Sequence, residues 1–148
     1  MIMITPEFVG ILAAAIAGGI TAYIVSVHLG RGGVLGSAVV VLASGLVFPA
    51  LFGDLGTQLA LAATTASYAG MVSGEKCGGI LPMTAISIMA GTLFAVSDSV
   101  YPGVGGRLGT IAAISCLSFI GYRALLSEVI VPSHRREGEA NFNQGDAD

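Results

Sequence analysis

Two glycine clusters in this chain each combine an arginine with a hydroxyl side chain that follows a few residues later. The members are Arg31, Gly32, Gly33 and Ser37 in the first cluster and Gly105, Gly106, Arg107 and Thr110 in the second. Glycine lets the backbone approach a ligand closely. A helix that begins after such a turn offers unpaired N–H groups and the positive end of its dipole. With a guanidinium beside them, these groups suit a small anion or a carboxylate, and we predict two substrate-binding cradles.

A structural interpretation of the same clusters is also open. Tight turns between antiparallel membrane helices favour glycine, and loop arginines are expected on the cytoplasmic side of a membrane. Arg107 fits this interpretation less well, because it is the basic residue predicted on the outer face.

The two clusters belong to a longer internal repeat. Residues 17–36, AGGITAYIVSVHLGRGGVLG, align with residues 90–109, AGTLFAVSDSVYPGVGGRLG, with ten identities in twenty positions. Repeats of this kind often relate the two halves of a transporter.

Composition predicts a membrane protein. The chain is 54% hydrophobic and 10% charged, against about 25% charged residues in soluble domains, and its mean hydropathy is +0.86. Five apolar segments are each long enough to cross roughly 30 Å of hydrocarbon. They cover residues 8–28, 35–52, 57–73, 80–97 and 108–130 within a transmembrane domain of residues 1–131. The third segment is the shortest and most polar. Residues 132–148 form a polar cytoplasmic tail that we expect to be disordered.

Charge asymmetry predicts the orientation. With five crossings, the basic residues Arg31, Lys76, Arg135 and Arg136 fall on one side. The positive-inside rule then places the N-terminus outside and the C-terminus inside. Helices 1–2 and 4–5 become an inverted repeat around a central helix 3 in an all-α, multi-pass protein of the cell membrane.

Polar side chains on the third segment predict a path between the repeats. Gln58, Thr64, Thr65 and Tyr68 lie there, and Arg123 lies about one turn inside the end of the fifth segment. An ionisable residue within a span suggests function. Two structural alternatives remain open: hydroxyls also bond to their own helix, and a long arginine can reach the interface.

Small residues at four-residue spacing predict closely packed helices. These steps are Ala14/Gly18, Ala15/Gly19, Ala62/Ala66/Gly70 and Gly109/Ala113. Such steps let helix backbones approach each other in lipid. We expect a homo-oligomer, and a different partner subunit would explain the composition equally well.

The remaining residues favour no catalytic or cofactor chemistry. The six Lys and Arg residues form no basic face for nucleic acid, and no metal-ligand set or nucleophile–base pair is present in the sequence. We therefore predict a non-enzymatic channel or carrier for a small anion or carboxylate, without a cofactor. The alternative is a non-catalytic accessory subunit of a larger membrane complex.

Overall fold

The computed structural model describes residues 6–72, 78–97 and 106–130, with side chains up to residue 127, and these residues are helical except for short turns between the helices. The helices are α1 (Pro6–Tyr23), α2 (Gly33–Ala69), α3 (Ile80–Ser97) and α4 (Arg107–Ile130), and a π-helical turn (Ile24–His28) extends α1. These residues contain no strand, so the all-α prediction is confirmed. The predicted tail, residues 132–148, lies outside the described residues.

Within the described residues, four helices are long and apolar enough to cross a membrane. They are Pro6–His28, Gly33–Ala69, Ile80–Ser97 and Arg107–Ser127. This confirms that several helices have the length and apolarity to span a membrane and indicates a membrane protein, whereas the five predicted spans stay a prediction. The predicted span 80–97 coincides with α3, and the span 108–130 begins one residue after α4 does.

Helix α2 folds back on itself at Gly53. The Oγ atoms of Ser37 and Ser67 lie 3.1 Å apart, whereas thirty residues of straight helix would separate them by about 45 Å. Gly33 likewise packs against Met71. Gly53 has φ 59° and ψ −129°, and it is the non-helical residue inside α2. The two halves of α2, residues 33–52 and 54–69, are therefore antiparallel neighbours.

The sequence predicted two separate segments here, with a break over residues 53–56. In the structure helical backbone resumes directly after Gly53. Gly56 is already inside the second half, and its Cα faces the carbonyl oxygen of Phe48 so closely that a side chain would collide with it. The break is shorter than predicted because one glycine supplies the whole reversal.

The second half of α2 lies at the centre of the bundle. Residues 62–67 are buried without interruption, which in a helix means that neighbours cover every side. One buried cluster surrounds one end of this half and contains Ile11, Ala15, Ala62, Ala66, Ala90, Phe94 and Ile111. A second cluster, at the other end, contains Tyr23, Ala69, Met83, Ile86 and Ala112. Along the sequence, α1 contributes first to the first cluster and then to the second, whereas α3 contributes to the second cluster first. These two helices are therefore antiparallel.

Glycines bring the helices into close contact. A Cβ at Gly18 would lie 2.6 Å from the carbonyl oxygen of Ala63, and one at Gly36 would lie 2.6 Å from that of Ala22. Both distances are too short for a side chain, so these contacts exist only with glycine. Gly109, by contrast, has no neighbouring atom within 4 Å of its Cβ position. The predicted small-residue steps of α1 and α2 thus pack inside the chain, whereas the step Gly109/Ala113 of α4 is exposed.

Candidate functional site

Both predicted cradles are helix starts that follow a glycine in the left-handed region. Gly32, with φ 88°, precedes α2, and Gly106, with φ 81°, precedes α4. The N–H of Gly36 donates to the carbonyl of Gly32 at 3.2 Å, and the N–H of Thr110 donates to that of Gly106 at 3.0 Å. The N–H groups before these donors lack an acceptor within their own helix. Both clusters are therefore helix starts, and binding of a solute at either one stays a prediction.

The two arginines differ in their surroundings. Arg31 is exposed in the turn before α2. Arg107 is half-buried as the first residue of α4, and its guanidinium carbon lies 5.3 Å from the centre of the Phe94 ring. A cation in the first turn opposes the helix dipole by about 0.3–1 kcal/mol, and an aromatic face offsets this through cation–π attraction. Phe94 thus holds Arg107 at a helix end where a positive charge is otherwise unfavourable.

The two helix starts lie at opposite ends of the bundle. Arg31 follows the C-terminal end of α1. Arg107 adjoins Phe94, which packs in the same buried cluster as Ile11 near the N-terminal end of α1. The structure therefore separates the two clusters by the length of the bundle and does not combine them into one site.

The two hydroxyls predicted for the cradles have partners within the protein. Ser67 Oγ donates to the Thr64 carbonyl at 2.7 Å, so its single proton is used and Ser37 is the donor in the bond between the two serines. Ser37 is buried. Thr110 is exposed, and its hydroxyl donates to the Gly106 carbonyl at 3.1 Å. The Ser37 hydroxyl joins the two halves of α2, and the Thr110 hydroxyl bonds to the preceding turn.

The residues predicted to line a path fall into two groups. Thr64 and Thr65 are buried in the central half of α2, which is residues 54–69. The Thr65 hydroxyl donates to the Leu61 carbonyl of its own helix, 2.8 Å away. Gln58 and Tyr68 are exposed. Tyr68 borders a shallow groove of about 400 Å³ whose walls also include Ser37 and Met71. In this conformation the two threonines are therefore buried and the other two side chains exposed, and a path along all four stays a prediction.

Arg123 reaches from α4 towards the start of α3. A Cβ built on Gly78, two residues before α3, would lie 2.8 Å from Arg123 Nη1. The side chain is exposed. Its guanidinium thus lies at the end of the bundle where α2 ends and α3 begins. This position agrees with a side chain that extends to the membrane interface.

Two further points concern the predicted site. Gly105 lies outside the described residues, so the second cluster is seen from Gly106 onward. Among the residues that the structure describes, no group of three or more His, Cys, Asp or Glu side chains could hold a metal ion.

One contact that sequence reasoning missed is the pairing of Arg107 with Phe94. It depends on how α3 packs against α4, and no spacing in the sequence indicates that packing. The aligned repeat does mark the position of Phe94, because the first copy has Thr21 where the second copy has this aromatic residue.

Comparison of the chain with known protein families, curated proteins and solved structures gives no match. Its function therefore has to be inferred from the residues and geometry described above.

Proposed function

We propose that the chain is a small integral membrane transport protein, a channel or carrier, for a small anion or carboxylate. The observation that carries this proposal is the pair of positive helix starts at opposite ends of the bundle. Each joins the N-terminus of an apolar helix to a glycine at positive φ and an arginine, Arg31 at one end and Arg107 at the other. Helix N-termini with adjacent guanidinium groups attract anions.

The proposed topology has five crossings. A straight helix of 37 residues would measure about 55 Å, nearly twice the hydrocarbon thickness of about 30 Å. The fold-back at Gly53 supports two crossings by α2, of which residues 33–52 alone measure about 30 Å. This count and the positive-inside rule support the proposal of five antiparallel crossings, with the N-terminus outside and the C-terminus inside a cell membrane.

The proposed permeation path lies between an inverted pair of helical hairpins. One hairpin is α1 with residues 33–52, and the other is α3 with α4. The central half of α2 lies between them, and Gln58, Thr64, Thr65 and Tyr68 would supply polar groups along it. Arg123 would lie at one mouth of the path. The inverted arrangement is supported by the sequence repeat and by the antiparallel packing of α1 on α3.

A second candidate is a non-catalytic accessory subunit that packs within a larger membrane complex. The observation that favours it is the internal bonding of buried hydroxyls. Ser67, Ser87 and Ser115 are fully buried and each donates to a carbonyl in its own helix. Hydroxyls satisfied in this way contribute to packing without binding a solute. On either proposal the chain has no catalytic role, and it assembles as a homo-oligomer or with a partner subunit.

Solute flux into vesicles containing only the purified chain tests the proposal. The panel contains inorganic anions, small carboxylates and cations, and the variants are Arg31→Gln, Arg107→Gln and the charge-preserving Arg31→Lys. Replacing the glycines is a weaker test, because any side chain at Gly106 is strained at φ 81°. Far-UV circular dichroism and gel filtration establish that each variant is folded.

Transport through the cradles predicts saturable anion flux that falls in both glutamine variants and is partly retained in Arg31→Lys. Anion flux that is unaffected by both glutamine variants would retain transport and reject the two cradles. Absence of flux for every solute, with folded protein, would favour the accessory subunit.

A further inference from the structure

An open groove lies between α1 and the first half of α2. Its volume is about 240 Å³. Ala17 and Thr21 form one wall, Val40 and Ser44 form the other, and Ala63 of the central half of α2 forms the floor. Ser44 Oγ donates to a carbonyl of its own helix, so the surface that the groove presents is almost entirely apolar. The groove residues lie near the middle of their helices, at the depth of the bilayer interior in a membrane-spanning chain.

The aligned repeat shows what distinguishes this groove. Thr21 aligns with Phe94. Phe94 is fully buried and packs with Ala62 and Ala66 of the central half and with Ile111 of α4. In the second copy of the repeat an aromatic ring therefore fills the space beside the central helix. In the first copy the small Thr21 leaves the corresponding space open.

The size of the groove limits what can occupy it. An apolar cavity of about 150 Å³ already holds one benzene molecule. The groove, at about 240 Å³, is therefore large enough for one slender hydrocarbon group.

We propose that this groove binds a single acyl chain of a membrane lipid, which takes the place that Phe94 fills in the second copy. The groove opens at bilayer depth, where acyl chains are the surrounding medium, and its apolar walls and floor match a hydrocarbon chain. Such a bound chain completes the packing between α1 and the first half of α2. This proposal goes beyond transport and is independent of it.

Photocrosslinking with a lipid tests the proposal. The full chain is reconstituted in phosphatidylcholine vesicles that contain a phosphatidylcholine with a diazirine midway along one acyl chain, and the labelled residues are identified by mass spectrometry. Thr21→Phe fills the groove as Phe94 fills its counterpart. Ala13→Phe adds the same ring at an exposed position of α1 that does not line the groove. Thr21→Val keeps the volume of the side chain.

We expect labelling concentrated on the groove walls, lost in Thr21→Phe and retained in Ala13→Phe and Thr21→Val. Labelling spread evenly over the exposed helix faces, or unchanged in Thr21→Phe, would overturn the proposal. Crosslinks between two copies at this groove would overturn it as well, in favour of a side chain from a second copy. If Thr21→Phe does not fold, Ala17→Leu fills the same groove from the preceding turn and gives the same comparison.

Discussion

Replacing Gly53 with alanine should destabilise the fold through backbone strain alone. Its φ of 59° and ψ of −129° lie outside the regions that a residue with a Cβ occupies, and holding such a residue there costs about 1–3 kcal/mol. No atom lies within 4 Å of the Cβ position, so no steric collision adds to this cost. The expected loss corresponds to a shift of about fivefold to 150-fold in the unfolding equilibrium.

Gly45→Ala is the matched control for this prediction. Gly45 lies in the same helix, also has open space at its Cβ position, and does not have positive φ. Alanine at an ordinary helical position is favoured over glycine by up to about 1 kcal/mol, so this variant should equal or exceed the wild type in stability. Both stabilities are measured by unfolding in mixed micelles of increasing SDS fraction, followed by far-UV circular dichroism. Equal stability of the two variants would refute the reversal at Gly53.

Two further predictions concern the contacts that hold the helices together. Gly18→Ala places a Cβ against the backbone of α2 and should cost about 1–3 kcal/mol by overpacking, whereas Gly121→Ala enters open space and should not destabilise the fold; similar losses in both would contradict the close approach at Gly18. Ser37→Ala and Ser67→Ala should show a coupling of about 0.6 kcal/mol in a double-mutant cycle, the average for hydrogen bonds between membrane helices. Additive effects of the two changes would indicate that no such bond forms.

The helix limits were largely predictable from sequence. The segments 80–97 and 108–130 match α3 and α4 because each begins after a glycine-rich stretch and Pro82 fits the first turn of α3. Apolar length and breaker residues act locally, so they can be read without knowing the fold. The reversal within α2 was predictable as a break but not as a single-residue turn, since backbone dihedrals at one glycine are not encoded in composition.

The surroundings of the candidate site residues were less predictable. The spacing after the glycine cluster predicts Ser37 in a cradle, and it does not indicate the contact with Ser67 that the fold-back of α2 creates. The partner of Arg107 depends on α3 packing beside α4. Both contacts join residues whose proximity arises from tertiary packing, and a pattern along one segment carries no information about the neighbouring one.

The repeat shows the same limit in another form. Gly36 and Gly109 occupy aligned positions of the repeat. The Cβ position of Gly36 nevertheless lies 2.6 Å from the carbonyl oxygen of Ala22, whereas that of Gly109 has no neighbouring atom within 4 Å. The central half of α2 has no second copy in the repeat, and the first half of α2 folds back onto it. Similar sequences in the two hairpins can therefore specify similar helices while their packing differs.

The burial of the central half of α2 bears on how transport could occur. Residues 62–67 are buried in succession, so in this conformation they do not face a water-filled path. For a solute to pass along Thr64 and Thr65, the hairpins would have to separate. Some buried hydroxyls would also have to break their hydrogen bonds to helix carbonyls and bond to the solute. Such a rearrangement is the movement of a carrier with alternating access rather than that of an open channel. An accessory subunit requires no such movement, because its buried hydroxyls stabilise one packed state. Within the transport proposal, the packing of the central segment therefore favours a carrier.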